Sequence, residues 1–184
     1  MRKLVVTQNI TFDGSIEMLG DWFDPEAQSD QADLLEELHR QDESADGFLV
    51  GRQTFTDLRG YWPTRTDDRT GVTDYLNRVQ KYVVSSSLSD AEWEPTTILS
   101  GDPVAEVGAL KQTSGKDIVC TGSIRLTHTL IGAGLVDEYR LFVHPVVQGR
   151  GRRLFPSGYE ASALRLLEVR AFRSGIALQR YAAN

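Results

Sequence analysis

Apolar and polar positions along the chain follow two periods. Short runs rich in Val, Ile, Leu, Tyr and Phe predict strands at Lys3–Gln8, Gly47–Gly51, Lys81–Ser86, Thr96–Ser100, Asp117–Gly122, Tyr139–Val147, Leu164–Phe172 and Ile176–Tyr181. Between them, apolar residues recur at helical spacing over Asp30–Gln41, Gly71–Gln80, Pro103–Thr113 and Ser123–Ala133, with a short turn after Thr54. Gly134 ends the last of these helices, because glycine enters a left-handed helix stop without steric cost.

Strands separated by helices predict parallel crossover units. The last two β runs are separated only by Arg173–Gly175 and predict an antiparallel hairpin. The expected architecture is α/β: a mixed, mostly parallel central sheet of about eight strands, a C-terminal antiparallel hairpin, and helices on both faces. No Pro/Ser/Gly-rich linker, repeat or low-complexity segment interrupts the pattern, so residues 1–184 read as a single domain.

Composition narrows what such a domain binds. The chain has 184 residues, 40% hydrophobic content and a formal net charge of -6, with a sequence pI near 5.1. That suffices for one sizeable core. The acidic balance argues against non-specific attraction to nucleic acid or an anionic membrane surface, which leaves a small molecule as the expected partner. The lone Cys120 cannot close an internal disulfide, and the apolar start breaks at Thr7, too early for a signal peptide. No run approaches the roughly 20 apolar residues of a membrane span, and a cytoplasmic location is expected.

Candidate chemistry gathers where strands end. In an open α/β sheet, ligands sit beyond the carboxyl ends of the parallel strands, where helix N-termini present unpaired amides. At the first such end Gly51 allows close backbone approach, Arg52 offers a planar guanidinium to a phosphate, and Thr54 supplies a hydroxyl. At the second, Ser85, Ser86 and Ser87 close a strand; at the third, Thr121, Gly122 and Ser123 lead into a helix at Ile124. Each motif alone fits an ordinary turn or cap. Their occurrence at successive strand ends predicts a phosphate-bearing ligand.

Two common nucleotide signatures are missing. "GAGLVD" (Gly132–Asp137) follows a helix instead of a first strand and is no dinucleotide fingerprint, and no P-loop motif occurs. His39, His128 and His144 share no ligand spacing, so no metal site is expected.

"GRQT" (Gly51–Thr54), the Ser-rich strand end, the Gly-containing third turn and above all "GLVDEYRLFVHPVVQGRGRRLF" (Gly134–Phe155) resemble the dihydrofolate reductase superfamily. Within it the chain resembles the reductase domain of the riboflavin-biosynthesis bifunctional deaminase-reductases and the small stand-alone bacterial proteins related to it. The resemblance covers essentially the whole chain. It implies a dihydrofolate-reductase-like three-layer fold and NADPH as hydride donor.

Carried onto matching positions, the resemblance implies Gly51 in the first cofactor turn, Arg52 with Ser85 or Ser86 near the 2′-phosphate, and Thr54 near the pyrophosphate. It places Thr121, Gly122, Ser123 and Ile124 along the diphosphate bridge, and Asn9 and Ile16 beside the nicotinamide. The chain departs from the family in two respects. Many members carry a Gly-Gly pair at the third turn, so the strained peptide that goes with it does not carry over to Thr121-Gly122-Ser123. One cysteine cannot build the zinc site of the deaminase half, so reduction alone is implied.

Hydride transfer needs a flat acceptor held in a water-poor cleft. The loop Thr11–Phe23 stands where the family keeps its mobile substrate loop, which makes Asp13, Trp22 and Trp62 lining candidates; Trp62-Pro63 reads equally well as core. Along the helix from Asp30, Leu34, Leu35 and Leu38 share a face, with Gln31 near its centre, Asp30 at its margin and Asp33 almost opposite. The family binds its substrate ring with an acid early in this helix, which implies Asp30 as the catalytic acid and Gln31 beside it. A helix-starting aspartate that only stabilises the dipole fits the same position. Arg150, Arg152 and Arg153 read as a solvated loop, or as a grip on a substrate phosphate.

The expected protein is an NADPH-dependent oxidoreductase of a small heterocycle, either 5-amino-6-(5-phosphoribosylamino)uracil or a pteridine such as dihydrofolate. By the resemblance it is a homodimer, with the segment around "YRLFVHPVV" apolar enough for an interface or a core. The alternative is a nucleotide-binding protein of the same fold without turnover.

Overall fold

The computed structural model describes residues 1–24, 31–161 and 163–183. Its elements are β1 (Leu4–Thr11), α1 (Ala32–Glu43), β2 (Ala45–Gly51), α2 (Arg52–Tyr61), α3 (Val72–Arg78), β3 (Gln80–Val84), β4 (Thr96–Leu99), α4 (Pro103–Lys111), β5 (Asp117–Cys120), α5 (Ile124–Gly132), β6 (Glu138–His144), β7 (Leu164–Ala171) and β8 (Ala177–Ala183). The strands form one sheet in the order β4-β3-β2-β5-β1-β6-β8-β7. Neighbours from β4 to β6 pair in parallel, and β8 runs antiparallel to both β6 and β7. This is the mixed sheet with a C-terminal hairpin that the pattern predicts.

Both faces of the sheet are covered, and β2 carries the reason in its alternation. Leu49 joins the cluster that holds Val107 and Leu110 of α4 with Leu126 and Leu130 of α5. Its neighbours Phe48 and Val50 join Phe55 of α2 and Leu76 of α3 on the other side. A third cluster packs Leu34 and Leu38 of α1 on Phe142, Phe172, Ile176 and Leu178. At the amino ends of the parallel strands a buried ion cluster ties the hairpin to the sheet. Glu138 Oε1 accepts from Arg140 Nε at 2.8 Å and from Arg180 Nε and Nη2 at 2.9 and 2.7 Å.

Several boundaries differ from the sequence expectation. The segment after Thr54 is no short turn but the ten-residue α2, because Phe55 and Leu58 give it an apolar stripe to bury. β1 continues past Gln8 to Thr11, since the ladder to β6 pairs Gln8, Asn9 and Ile10 with Leu141, Phe142 and Val143 whatever their polarity. β6 stops at His144, before Pro145, which has no amide hydrogen to continue the ladder. It is an interior strand with Tyr139 and Phe142 buried, so that segment belongs to the core. β3 and β5 end at Val84 and Cys120, which leaves Ser85, Ser86, Thr121 and Gly122 in the loops beyond. α1 runs on to Glu43; its expected start at Asp30 lies outside the described residues.

Candidate active site

The carboxyl ends of β1, β2, β3, β5 and β6 open on one cleft of about 1380 Å³, larger than the roughly 300–1,000 Å³ of a typical drug-sized pocket. Asn9, Ile16, Gly51, Arg52, Thr54, Ser85, Ser86, Thr121, Gly122, Ser123 and Ile124 all line it, as do Trp22, Gln31 and Trp62. Asp13 does not. Its carboxylate accepts from Thr11 Oγ1 at 2.6 Å, Gln148 N at 3.1 Å and Gly149 N at 2.8 Å, so it fastens the loop after β1 to the loop after β6. These hydrogen bonds, the one from Thr11 foremost, lower its pKa to about 2. Asp30, the expected acid, lies outside the described residues.

The first and third turns are fitted together. Gly51 N donates to Gly122 O at 3.1 Å, and a Cβ on Gly51 would stand 2.3 Å from Ser123 Oγ. A Cβ on Gly122, whose φ is 153°, would stand 2.8 Å from Thr54 Oγ1. The Gly122–Ser123 peptide is cis, although the chain lacks the Gly-Gly pair. Close approach of the two turns thus depends on glycine at both positions.

Helix ends supply the electrostatics. Asp102 caps α4 by accepting from Ala105 N, but the residues before α2 and α5, Gly51 and Ser123, make no side-chain cap. Two helix N-termini therefore present uncapped amides and positive dipole ends to the same cleft. Arg52 is exposed on its wall and pairs with no carboxylate among the described residues. Ser85 Oγ accepts from Ser87 N and Leu88 N at 3.2 and 3.0 Å, which orders the serine loop and leaves the hydroxyl proton to donate.

The other half of the cleft is aromatic and aliphatic. Trp22 and Phe23 stand edge-on to the His144 ring at 5.1 and 5.9 Å between centroids, and His144 Nε2 bonds Asn9 Oδ1 at 3.0 Å. Burial lowers the His144 pKa, so the neutral imidazole donates to Asn9. α1 contributes Leu35, Leu38 and Asp42 to the cleft wall. Burial among Leu38, Tyr75 and their neighbours raises Asp42 to about 6, against the opposing charges of His39 and Arg78.

His144 and Asp42 escaped the sequence reading. Asp42 falls on the helical stripe of Leu35 and Leu38, and extending that periodicity by one turn finds it. His144 lies at the carboxyl end of a strand, the position the sheet rule singles out, but its value as a site residue comes from β6 pairing beside β1. His39 and His128 are occupied with backbone carbonyls, Thr70 O at 2.8 Å and Arg153 O at 2.9 Å. Among the described residues no helix is long and apolar enough to cross a membrane.

Sheet order, closing hairpin and a wide cleft at the strand ends define a dihydrofolate-reductase-like fold. The chain belongs to the RibD C-terminal domain family, which it matches over residues 2–178. It is 31% identical to the protein YyaP of Bacillus subtilis (strain 168) over 181 residues, 95% of this chain and 92% of that one. Among solved structures it resembles a putative riboflavin biosynthesis protein from Shewanella sp. PV-4, with a TM-score of 0.69, 15% identity and 99% of each chain covered. It also resembles the diaminohydroxyphosphoribosylaminopyrimidine deaminase/5-amino-6-(5-phosphoribosylamino)uracil reductase of Thermotoga maritima, with a TM-score of 0.66 and 17% identity. That match covers 100% of this chain and 57% of that one.

Proposed function

We propose that the cleft binds NADPH and that the chain is an NADPH-dependent oxidoreductase of a small pyrimidine- or pteridine-type heterocycle. The observation that carries this reading is the convergence on one cleft of two uncapped helix N-termini and Arg52, which pairs with no carboxylate among the described residues. Family membership and the reductase named in the Thermotoga maritima relative support it. Arg52 with Ser85 and Ser86 would hold the 2′-phosphate, which NADH lacks. Thr54 and the amides from Thr121 to Ile124 would hold the diphosphate, and Asn9 and Ile16 would border the nicotinamide.

NADPH supplies the hydride when bound. Trp22 and Phe23 keep water from the reacting face, and the His144–Asn9 pair fixes one polar edge against which an acceptor ring is oriented. Asp42, ionising near neutrality, offers a hydrogen-bond partner to a ring N–H or amino group. Carboxyl groups and a histidine in the cleft wall favour turnover over the binding-only alternative.

Pairing of two copies is also proposed, through the closing hairpin. β7 is an edge strand, and Leu166 and Val169 on it are 53% and 61% exposed. The reductase reading is tested by following NADPH absorbance with reducible pyrimidines and pteridines in turn. Acceptor-dependent consumption is expected; NADPH binding with no consumption for any of them would leave a nucleotide-binding protein.

A further inference from the structure

We propose that the heterocycle reduced in this cleft carries no phosphate, and that Glu17 enforces the choice by neutralising Arg152 at the cleft wall. The proposal rests on the reductase reading above and adds the substrate class to it. Among the described residues the cations lining the cleft are Arg52, Arg125 and Arg152. Arg52 and Arg125 lie in the first turns of α2 and α5 and stand with the cofactor turns. Only Arg152 is left to meet a substrate, and it is already engaged.

Arg152 Nε and Nη2 donate to Glu17 Oε1 at 2.9 and 2.5 Å, and its backbone N–H donates to Oε2 at 3.0 Å. Those hydrogen bonds hold the Glu17 carboxyl below its usual range. The pair is fixed from both sides, because Ile16 N donates to Arg152 O at 3.0 Å and Gln148 Nε2 donates to Glu17 O at 3.0 Å. Ile16 is buried and lines the cleft, so the ion pair stands directly beside the reacting half. Arg150 and Arg153 belong to the same loop but do not line the cleft, and Arg153 Nη1 donates to Asp13 O.

Among the described residues the remaining charges of this half are the carboxyl groups of Asp24 and Asp42. A phosphate monoester brings about 1.5 to 2 negative charges at pH 7. It would meet the Glu17 carboxylate and would have to break the two hydrogen bonds by which the Arg152 guanidinium holds it. A flat ring without phosphate, neutral or positively charged, meets Trp22, Phe23, Leu35, Leu38, Pro145 and Ile176 instead.

The test uses a matched pair of probes, 5-amino-6-(5-phosphoribosylamino)uracil and the riboside obtained from it with phosphatase, offered to the NADPH-loaded protein. Binding is read from tryptophan fluorescence and turnover from NADPH absorbance. The riboside is expected to have the higher kcat/KM, on the order of tenfold. Glu17→Gln should raise kcat/KM for the phosphorylated probe at least about threefold, and adding Arg152→Gln should remove that gain. Preference for the phosphorylated probe in the unaltered protein, or no effect of Glu17→Gln on the ratio, overturns the proposal. Binding of neither probe overturns the proposal for a pyrimidine substrate, whereas failure to bind NADPH itself overturns the reductase reading beneath it.

Discussion

A methyl group added at Gly51 would stand 2.3 Å from Ser123 Oγ, so the joint between the first and third turns depends on a single missing carbon. Gly51→Ala is expected to cost about 1 to 3 kcal/mol in urea unfolding and to abolish NADPH binding, because the turns must separate to admit the new atom. The sequence marked Gly51 and Gly122 as turn residues but could not show that they face each other; that follows from β2 and β5 lying side by side. Asp42 shows the converse. Its position on the Leu35–Leu38 stripe was legible, whereas its raised pKa depends on burial by α3, a neighbour remote in sequence. A carboxyl raised from 3.8 to about 6 binds its proton more tightly in the folded state, so stability present at low pH is lost as pH rises through about 6. Asp42→Asn should therefore be the more stable protein at pH 7, by about 1 to 3 kcal/mol, and the gap in thermal melts should close as pH falls toward 4.

Helix α1 carries two stripes where periodicity suggested one. Leu34, Leu35, Leu38 and Asp42 line the cleft, while Glu37 and Gln41 are buried outside it. Glu37 was illegible as a buried position because its partners come partly from β7: Arg40 Nη2 donates to Oε2 at 2.6 Å and Arg170 Nη1 at 3.1 Å. Strand β6 poses the same problem at Glu138. Burial would raise this carboxyl, but hydrogen bonds and charge from Arg140 and Arg180 outweigh it and hold the group ionised. Replacing it removes the carboxylate that Arg140 and Arg180 share and leaves Arg140 to Asp117 and Arg180 to Glu168. Glu138→Ala is expected to cost about 3 to 5 kcal/mol. Amide exchange should speed up in β8 and β7 before it does in β2, and equal protection throughout would contradict the role assigned to the cluster.

At the scale of the whole molecule, the α/β class, the mostly parallel sheet and the closing hairpin were legible because each is set by local period and connection length. Strand order was not: β8 slips between β6 and β7, and that placement is decided by packing on α1. The apolar "YRLFVHPVV" segment allowed an interface or a core, and its interior place in the sheet makes it core. Only its last residue, Val147, is exposed among its large apolar side chains, and β7 exposes three, Leu166, Leu167 and Val169. Changing Leu166 and Val169 together to glutamate should convert a dimer to a monomer in light scattering without lowering the melting temperature of the fold; a monomeric parent would contradict the pairing. The central claim is that two helix ends and Arg52 form a phosphate site for NADPH. It is tested most directly by titrating the protein and an Arg52→Ala variant with NADPH and NADH, read by nucleotide fluorescence. The account predicts tighter binding of NADPH than NADH, and a selective loss of NADPH affinity in the variant of roughly ten- to a hundredfold, or about 1.5 to 3 kcal/mol. Binding of neither nucleotide, or equal affinity for both that Arg52→Ala leaves unchanged, would contradict it.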